Sequence, residues 1–196
     1  VTTQSQLAKP NVPQKSNLAE ELKFLDEKVS AELQVLVKSG MFGADKDIYK
    51  AVAKVRIGQT MGLSLVQSLQ GIFLQTNGTP TFTANLMTYL VKASGKYRFK
   101  VQMDNTSVNI IFFEKIDGKW EEIGNSSFSE ADAKLAGLSG KDTYKKFPRN
   151  LYFARAMSNG CKWFCNDVFG NPVYLPDEIP GSEFLVDGET LEVIEK

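Results

Sequence analysis

The stretch Ile72-Phe73-Leu74-Gln75-Thr76-Asn77-Gly78-Thr79-Pro80-Thr81-Phe82 decides the fold class. Two short β-prone runs flank Asn77-Gly78, and both of those residues tolerate the positive φ of a type I′ turn. The spacing therefore predicts a hairpin of residues 72–75 and 79–82. Pro80 has no N–H to give a ladder, which makes its strand an edge or terminal one. Just downstream, Thr83 caps a predicted helix that carries Leu86, Met87, Leu90 and Val91 and closes at Gly95. Three more strands are expected at Tyr97 to Met103, Val108 to Glu114 and Trp120 to Ile123, turning at Asp104-Asn105 and Asp117-Gly118. The result is an α+β fold, a small antiparallel sheet of hairpin plus three-strand meander packed with several helices.

Working outward from the hairpin, Ser64 and Gln67 form a capping box for a short helix ending near Gly71, and a longer helix runs from about Asp47 to Met61. Leu18, Leu22, Leu25, Val29, Leu33, Leu36 and Val37 recur at spacings of three and four before Gly40. This amphipathic stripe suits docking on its own domain and docking on a neighbouring subunit equally well. Residues 1–16 are polar with Pro10 and Pro13 and read as a flexible arm. After the meander, Phe128 to Ala136 reads as a helix capped by Ser129, and a long last helix runs from Pro148 to about Asn166. The expected organisation is an arm (1–16), one domain (17–180) and an acidic tail (181–196) that forms a strand pair or stays disordered.

Composition narrows the chemistry. The 196 residues include no histidine, which removes the Ser-His-Asp triad and the Cys-His pair, and Cys161 and Cys165 are too few for a structural zinc site. Both cysteines read as reduced core thiols. No P-loop is present. The expectation is a non-enzyme that requires no cofactor, with magnesium held by Asp and Glu left open. A small magnesium-dependent nuclease would need carboxylates such as Asp104, Asp117, Glu121 and Glu122, which fall in turn-like or exposed positions. No run of about 20 apolar residues and no apolar stretch in the first twenty residues occurs, so a cytoplasmic location without membrane contact is expected.

The 23 basic and 23 acidic residues cancel in total but are segregated. Lys134 to Lys162 holds seven cations against Asp142, whereas Asp177 to Lys196 holds seven acids against Lys196. On a wheel of 100 degrees per residue, Leu151, Ala154, Ser158, Cys161 and Cys165 share one side of the last helix, and Arg149, Tyr152, Arg155, Asn159, Lys162, Trp163 and Asn166 share the other. Cations for phosphates and flat rings for bases are what a single-strand groove requires. Arg149, Tyr152, Arg155, Asn159, Lys162 and Trp163 are thus DNA-contact candidates, and Lys141, Lys145 and Lys146 join them from what reads as a loop before Pro148. Lys92 and Lys96 belong to a second acid-free basic stretch with Arg98 and Lys100, where a helix macrodipole also favours lysine.

From Gly58 to Pro180 the chain resembles the phage single-strand annealing proteins of the RecT and lambda Red beta (Bet) type. The resemblance rests on Met61-Gly62-Leu63, Gln67-Ser68-Leu69-Gln70-Gly71-Ile72-Phe73, Thr83-Ala84-Asn85-Leu86-Met87 with Gly95, and Phe147-Pro148-Arg149 through Arg155-Ala156. Asn166-Asp167-Val168-Phe169-Gly170, Val173-Tyr174 and Pro176-Asp177-Glu178 extend it. It implies an annealing core that assembles into rings or helical filaments, binds single-stranded DNA and pairs it with a complementary strand without ATP during homologous recombination. It also implies phosphate contacts from Arg149, Arg155 and Lys162, and weaker contacts from Gln70, Gln75 and Thr76 near the groove. Implied partners are the annealed duplex intermediate, other copies of the chain, a phage 5′–3′ exonuclease and the host single-strand-binding protein, all in the bacterial cytoplasm. Where the family usually continues into a separate C-terminal recruiting region, a short acidic tail is expected here. The rival expectation is an oligomeric adaptor in which the Leu18–Val37 stripe and the basic helix join protein subunits.

Overall fold

The computed structural model describes residues 31–40, 47–170, 173–178, 184–186 and 193–195. The arm at 1–16 and the first part of the Leu18–Val37 stripe lie outside the described residues. In chain order the elements are α1 (31–38), α2 (Ile48–Thr60), α3 (Leu65–Gly71), β1 (Ile72–Leu74), β2 (Pro80–Phe82), α4 (Ala84–Ala93), β3 (Tyr97–Met103), β4 (Ser107–Ile116), β5 (Lys119–Ser129), α5 (Glu130–Leu135), α6 (Asp142–Lys146), α7 (Pro148–Phe164), β6 (Phe184–Val186) and β7 (Val193–Glu195). The fold is α+β.

Local chemistry sets most helix starts. Ser64 Oγ accepts from Gln67 N at 3.3 Å while Gln67 Oε1 accepts from Ser64 N at 3.0 Å, closing a capping box that satisfies two otherwise orphaned N–H groups. Thr83 Oγ1 accepts from Leu86 N, and Ser129 with Asp132 closes a second box. The helix expected from Phe128 is shorter, because Phe128 and Ser129 still pair with β4 as the end of β5.

The hairpin forms with Ile72 opposite Phe82 and Leu74 opposite Pro80, yet its turn differs from the type I′ expectation. Gly78 N donates to Gln75 O, Gln75 N donates to Thr79 O, and only Gly78 of the central pair has positive φ. That is a three-residue loop with glycine at the left-handed position. The doubly positive turn lies instead at Asp117 (φ 49) and Gly118 (φ 80), between β4 and β5.

The single small sheet expected is corrected to separate sheets, β1-β2 and β3-β4-β5, with β6-β7 pairing in the tail. Helix α4 intervenes between the hairpin and β3, and the outer edge of β2 is taken by the returning chain, where Phe82 N donates to Tyr174 O at 2.8 Å. The meander is antiparallel throughout, with an irregularity in the β4–β5 register between Phe112 and Phe113. Its inner face buries Val108, Ile110 and Phe112 against Leu151, Ala154, Met157 and Cys161 of α7. Each of the Val, Ile, Phe, Leu and Met side chains among them is worth about 1.5–3 kcal/mol when removed from water. A second cluster joins Leu33 to Ala51, Val55 and Leu69, so the described part of the amphipathic stripe docks on its own chain. Among the described residues no helix is long and apolar enough to cross a membrane.

Candidate nucleic-acid interface

Helix α7 begins at Pro148, whose missing N–H costs nothing in a first turn. Immediately before it, residues expected as loop form the five-residue helix α6. Its Tyr144 is buried against Tyr152, ring centroids 6.4 Å apart, and Phe128 packs on Tyr152 from the other side at 6.1 Å. Tyr152 is only 4% exposed, so its place on the open polar arc is corrected: α6 and β5 cover that part of the helix. Lys141, Lys145, Lys146 and Arg149 remain exposed around the α6–α7 corner. The acid among them is Asp142, 3.9 Å from Lys145 and itself exposed, a pairing worth little in water.

Farther along α7, Arg155 and Lys162 converge on one carboxylate. Arg155 Nη1 lies 3.4 Å from Glu178 Oε1 and Lys162 Nζ lies 2.8 Å from Oε2. Ser158 Oγ and Leu175 N also donate to Oε2, each at 2.9 Å. Arg155 Nε reaches Tyr144 Oη at 3.2 Å, and Lys162 stands 4.9 Å from the Tyr174 ring. The Glu178 side chain is 8% exposed and that of Arg155 11%, so this is a largely desolvated cluster. The segment bearing Glu178 is held by Phe82 N on Tyr174 O and by buried Gln75, whose Nε2 donates to Pro176 O at 3.1 Å. Gln75, a weaker contact candidate, is therefore enclosed. Sequence reasoning gave Glu178 no role in the site, counting it among the acids of the C-terminal region and within the Pro176-Asp177-Glu178 motif.

The other candidates are dispersed. Asn159 is half-buried and Trp163 is 60% exposed on α7. Lys96 is tied to Asp167 at 2.7 Å and Glu114 at 3.3 Å, and Lys92 rests 5.3 Å from the Phe99 ring. The Asp167 bond, then Tyr97, raises the Lys96 pKa. Burial pushes Asp167 up, but hydrogen bonds from Lys96 and Tyr97 outweigh it and leave that carboxyl below its ordinary value. Exposed Gln70 lines a cleft of about 250 Å³ with Gln67, Asn85 and Tyr89.

Chain comparisons do not support the resemblance to the RecT and Red beta proteins. No family model matches the chain, and no solved structure matches it. A stretch of 113 residues is 34% identical to a probable transaldolase of Desulfotalea psychrophila (strain LSv54 / DSM 12343), covering 55% of this chain and 53% of that protein. The chain spans about half the length of the curated relative it matches. Membership in the annealing family is accordingly corrected: agreement in short motifs such as Phe147-Pro148-Arg149 is not matched by any family model, and the curated match bears a different name.

Two further groups bear on chemistry. Asp104 accepts from the N and Oγ atoms of both Thr106 and Ser107, and these bonds, Thr106 first, hold its carboxyl below the usual value. Its lone pairs are committed to a turn. Among the described residues no group of three or more His, Cys, Asp or Glu side chains is placed to hold a metal ion. Cys161 and Cys165 are buried, and burial pushes Cys161 well up and Cys165 to about 12. Thiolate is the reactive form. Native protein at pH 8 is thus expected to resist iodoacetamide while urea-unfolded protein gains two adducts by mass spectrometry; equal labelling rates would contradict the burial.

Proposed function

We propose that the protein binds single-stranded DNA and, as an oligomer, pairs complementary strands without nucleotide hydrolysis. The observation that carries the reading is the exposed α6–α7 corner, where Lys141, Lys145, Lys146 and Arg149 stand with Asp142 as the acid among them. Exposed Trp163 on the same helix supplies a ring on which a base can stack. Pairing then needs no covalent step: cations offset the repulsion between two phosphate backbones and base pairing supplies the free energy. Val35 and Tyr49, 69% and 84% exposed on α1 and α2, favour self-assembly through the helical layer.

Fluorescence anisotropy with labelled oligonucleotides tests the reading, alongside annealing rates measured without nucleoside triphosphate. The triple variant Lys145→Ala, Lys146→Ala, Arg149→Ala is expected to flatten the log-log salt dependence of binding by about 2, at about 0.7 per lost phosphate contact. A salt slope equal to that of the unmodified protein removes the corner from the interface. Annealing no faster than the spontaneous rate overturns the pairing activity, and turnover in a transaldolase assay would replace the whole reading with the activity named for the curated match.

A further inference from the structure

The meander has a second face. Residues alternate across a strand, so with Val108, Ile110 and Phe112 turned onto α7, the neighbours Asn109, Ile111 and Phe113 of β4 stand on the opposite side. There they meet Arg98, Lys100 and Gln102 of β3 and, through the register, Trp120, Glu122 and Asn125 of β5. Arg98, Lys100, Gln102, Glu122 and Asn125 are exposed, and Ile111, Phe113 and Trp120 are half-buried.

Two features of this face are organised. The Arg98 guanidinium lies 4.6 Å from the Trp120 ring centroid and 5.1 Å from that of Phe113, so one cation bridges two rings across three strands. Stacking of this kind leaves the N–H edge of the guanidinium directed outward for an anion. Two positions along, Asn125 Nδ2 donates to Asn109 Oδ1 at 2.8 Å and Asn109 Nδ2 donates to Gln102 Oε1 at 3.2 Å. The row of amides presents donors and acceptors to solvent.

We infer that the outer face of β3-β4-β5 is a binding surface for single-stranded DNA, with Phe113 and Trp120 stacking bases, Arg98 and Lys100 holding phosphates and the amide row meeting base edges. It rests on the reading that the protein binds single strands, and it names a site on the side of the sheet opposite α7. The charge fits a polyanion, since Arg98, Lys100 and Lys115 of this face meet Glu122 as the acid. The rings select further: an acidic peptide uses the cations but has no flat groups for Phe113 and Trp120, whereas each nucleotide brings both a phosphate and a base.

Trp120 reports directly on this surface. The protein has two tryptophans, so Trp163→Phe leaves Trp120 as its sole indole fluorophore. Titration of that variant with oligothymidylate is expected to quench Trp120 emission over the same concentrations that raise the anisotropy of the labelled oligonucleotide. Trp120→Ala is expected to weaken binding about tenfold or more, the loss of one stacked base, while Trp120→Phe keeps near-native affinity and thermal unfolding of both variants checks the fold. Rising anisotropy with unchanged Trp120 emission overturns the surface and leaves the α6–α7 corner as the interface. No rise in anisotropy overturns the surface together with single-strand binding itself. Equal quenching by oligoglutamate overturns the assignment to bases.

Discussion

Glu178→Ala is expected to destabilise the protein by about 3 kcal/mol, the scale of breaking a buried ion pair by removing one partner. Four donors converge on this carboxylate: Arg155, Lys162, Ser158 Oγ and Leu175 N. Alanine leaves two cations and two neutral donors facing each other in a site where the carboxylate was 8% exposed. The repulsion between Arg155 and Lys162, previously screened by the anion between them, adds to the desolvation cost. For a chain of this size, about 3 kcal/mol lowers Tm by roughly 6–12 °C. Glu178→Gln separates charge from shape, since the amide retains an acceptor but loses the negative charge, and it is expected to fall between the two. Differential scanning calorimetry in the absence of DNA is the measurement. A Tm within a degree of the original for Glu178→Ala would mean that the 173–178 segment does not hold α7. The same variant bears on binding: it removes the negative charge beside Arg155 and Lys162, so single-strand affinity at equal folded fraction is expected to rise.

Arg155 and Lys162 also show where sequence reasoning stops. The caps at Ser64, Thr83 and Ser129 were legible because each is a hydrogen bond between residues three apart, settled by local geometry. The β3 boundaries, Tyr97 to Met103, were legible for the same kind of reason, since a run of strand-forming residues ends at the Asp104 turn. The far end of β5 was not. Gly124, Asn125, Ser126 and Ser127 are poor strand formers taken alone, and they extend the strand because β4 is already in place to pair with them and α7 to cover them. The wheel correctly separated the buried side of α7, Leu151, Ala154, Ser158 and Cys161, with Cys165 just past its end, from the rest. It could not say what covers the polar side. Tyr152 is closed over by a five-residue helix, and Arg155 is closed over by a carboxylate 23 positions later on an irregular segment. A polar arc specifies which residues avoid the nearest core; it carries no information about non-local chain that returns to cover it.

Gly160→Ala is expected to destabilise by about 2 kcal/mol or more, against the direction that helix propensity alone gives. In an unencumbered helix interior the substitution gains about 1 kcal/mol. Here a Cβ on Gly160 would stand 2.1 Å from Phe112 Cε2 and 2.3 Å from its Cζ, so the ring must move. Phe112 is fully buried, with Phe164 at 5.5 Å and Phe99 at 6.3 Å between ring centroids, and its displacement propagates into both neighbours. Overpacking of this kind costs typically 1–3 kcal/mol beyond any gain in propensity. The cause is separable from a general loss of helix by a double-mutant cycle. Phe112→Leu alone leaves a partly filled hole over Gly160, and Gly160→Ala placed in that background is expected to cost less than it does in the original chain, a coupling of 0.5 kcal/mol or more. Urea unfolding of the four proteins supplies the energies. Strict additivity would show that the ring and the glycine do not share the space, and the close approach of α7 to β4 would then have to be held by other contacts in that layer. Because α7 also carries Arg149 and Trp163, loosening this approach is expected to weaken single-strand binding even though neither Gly160 nor Phe112 faces the solvent.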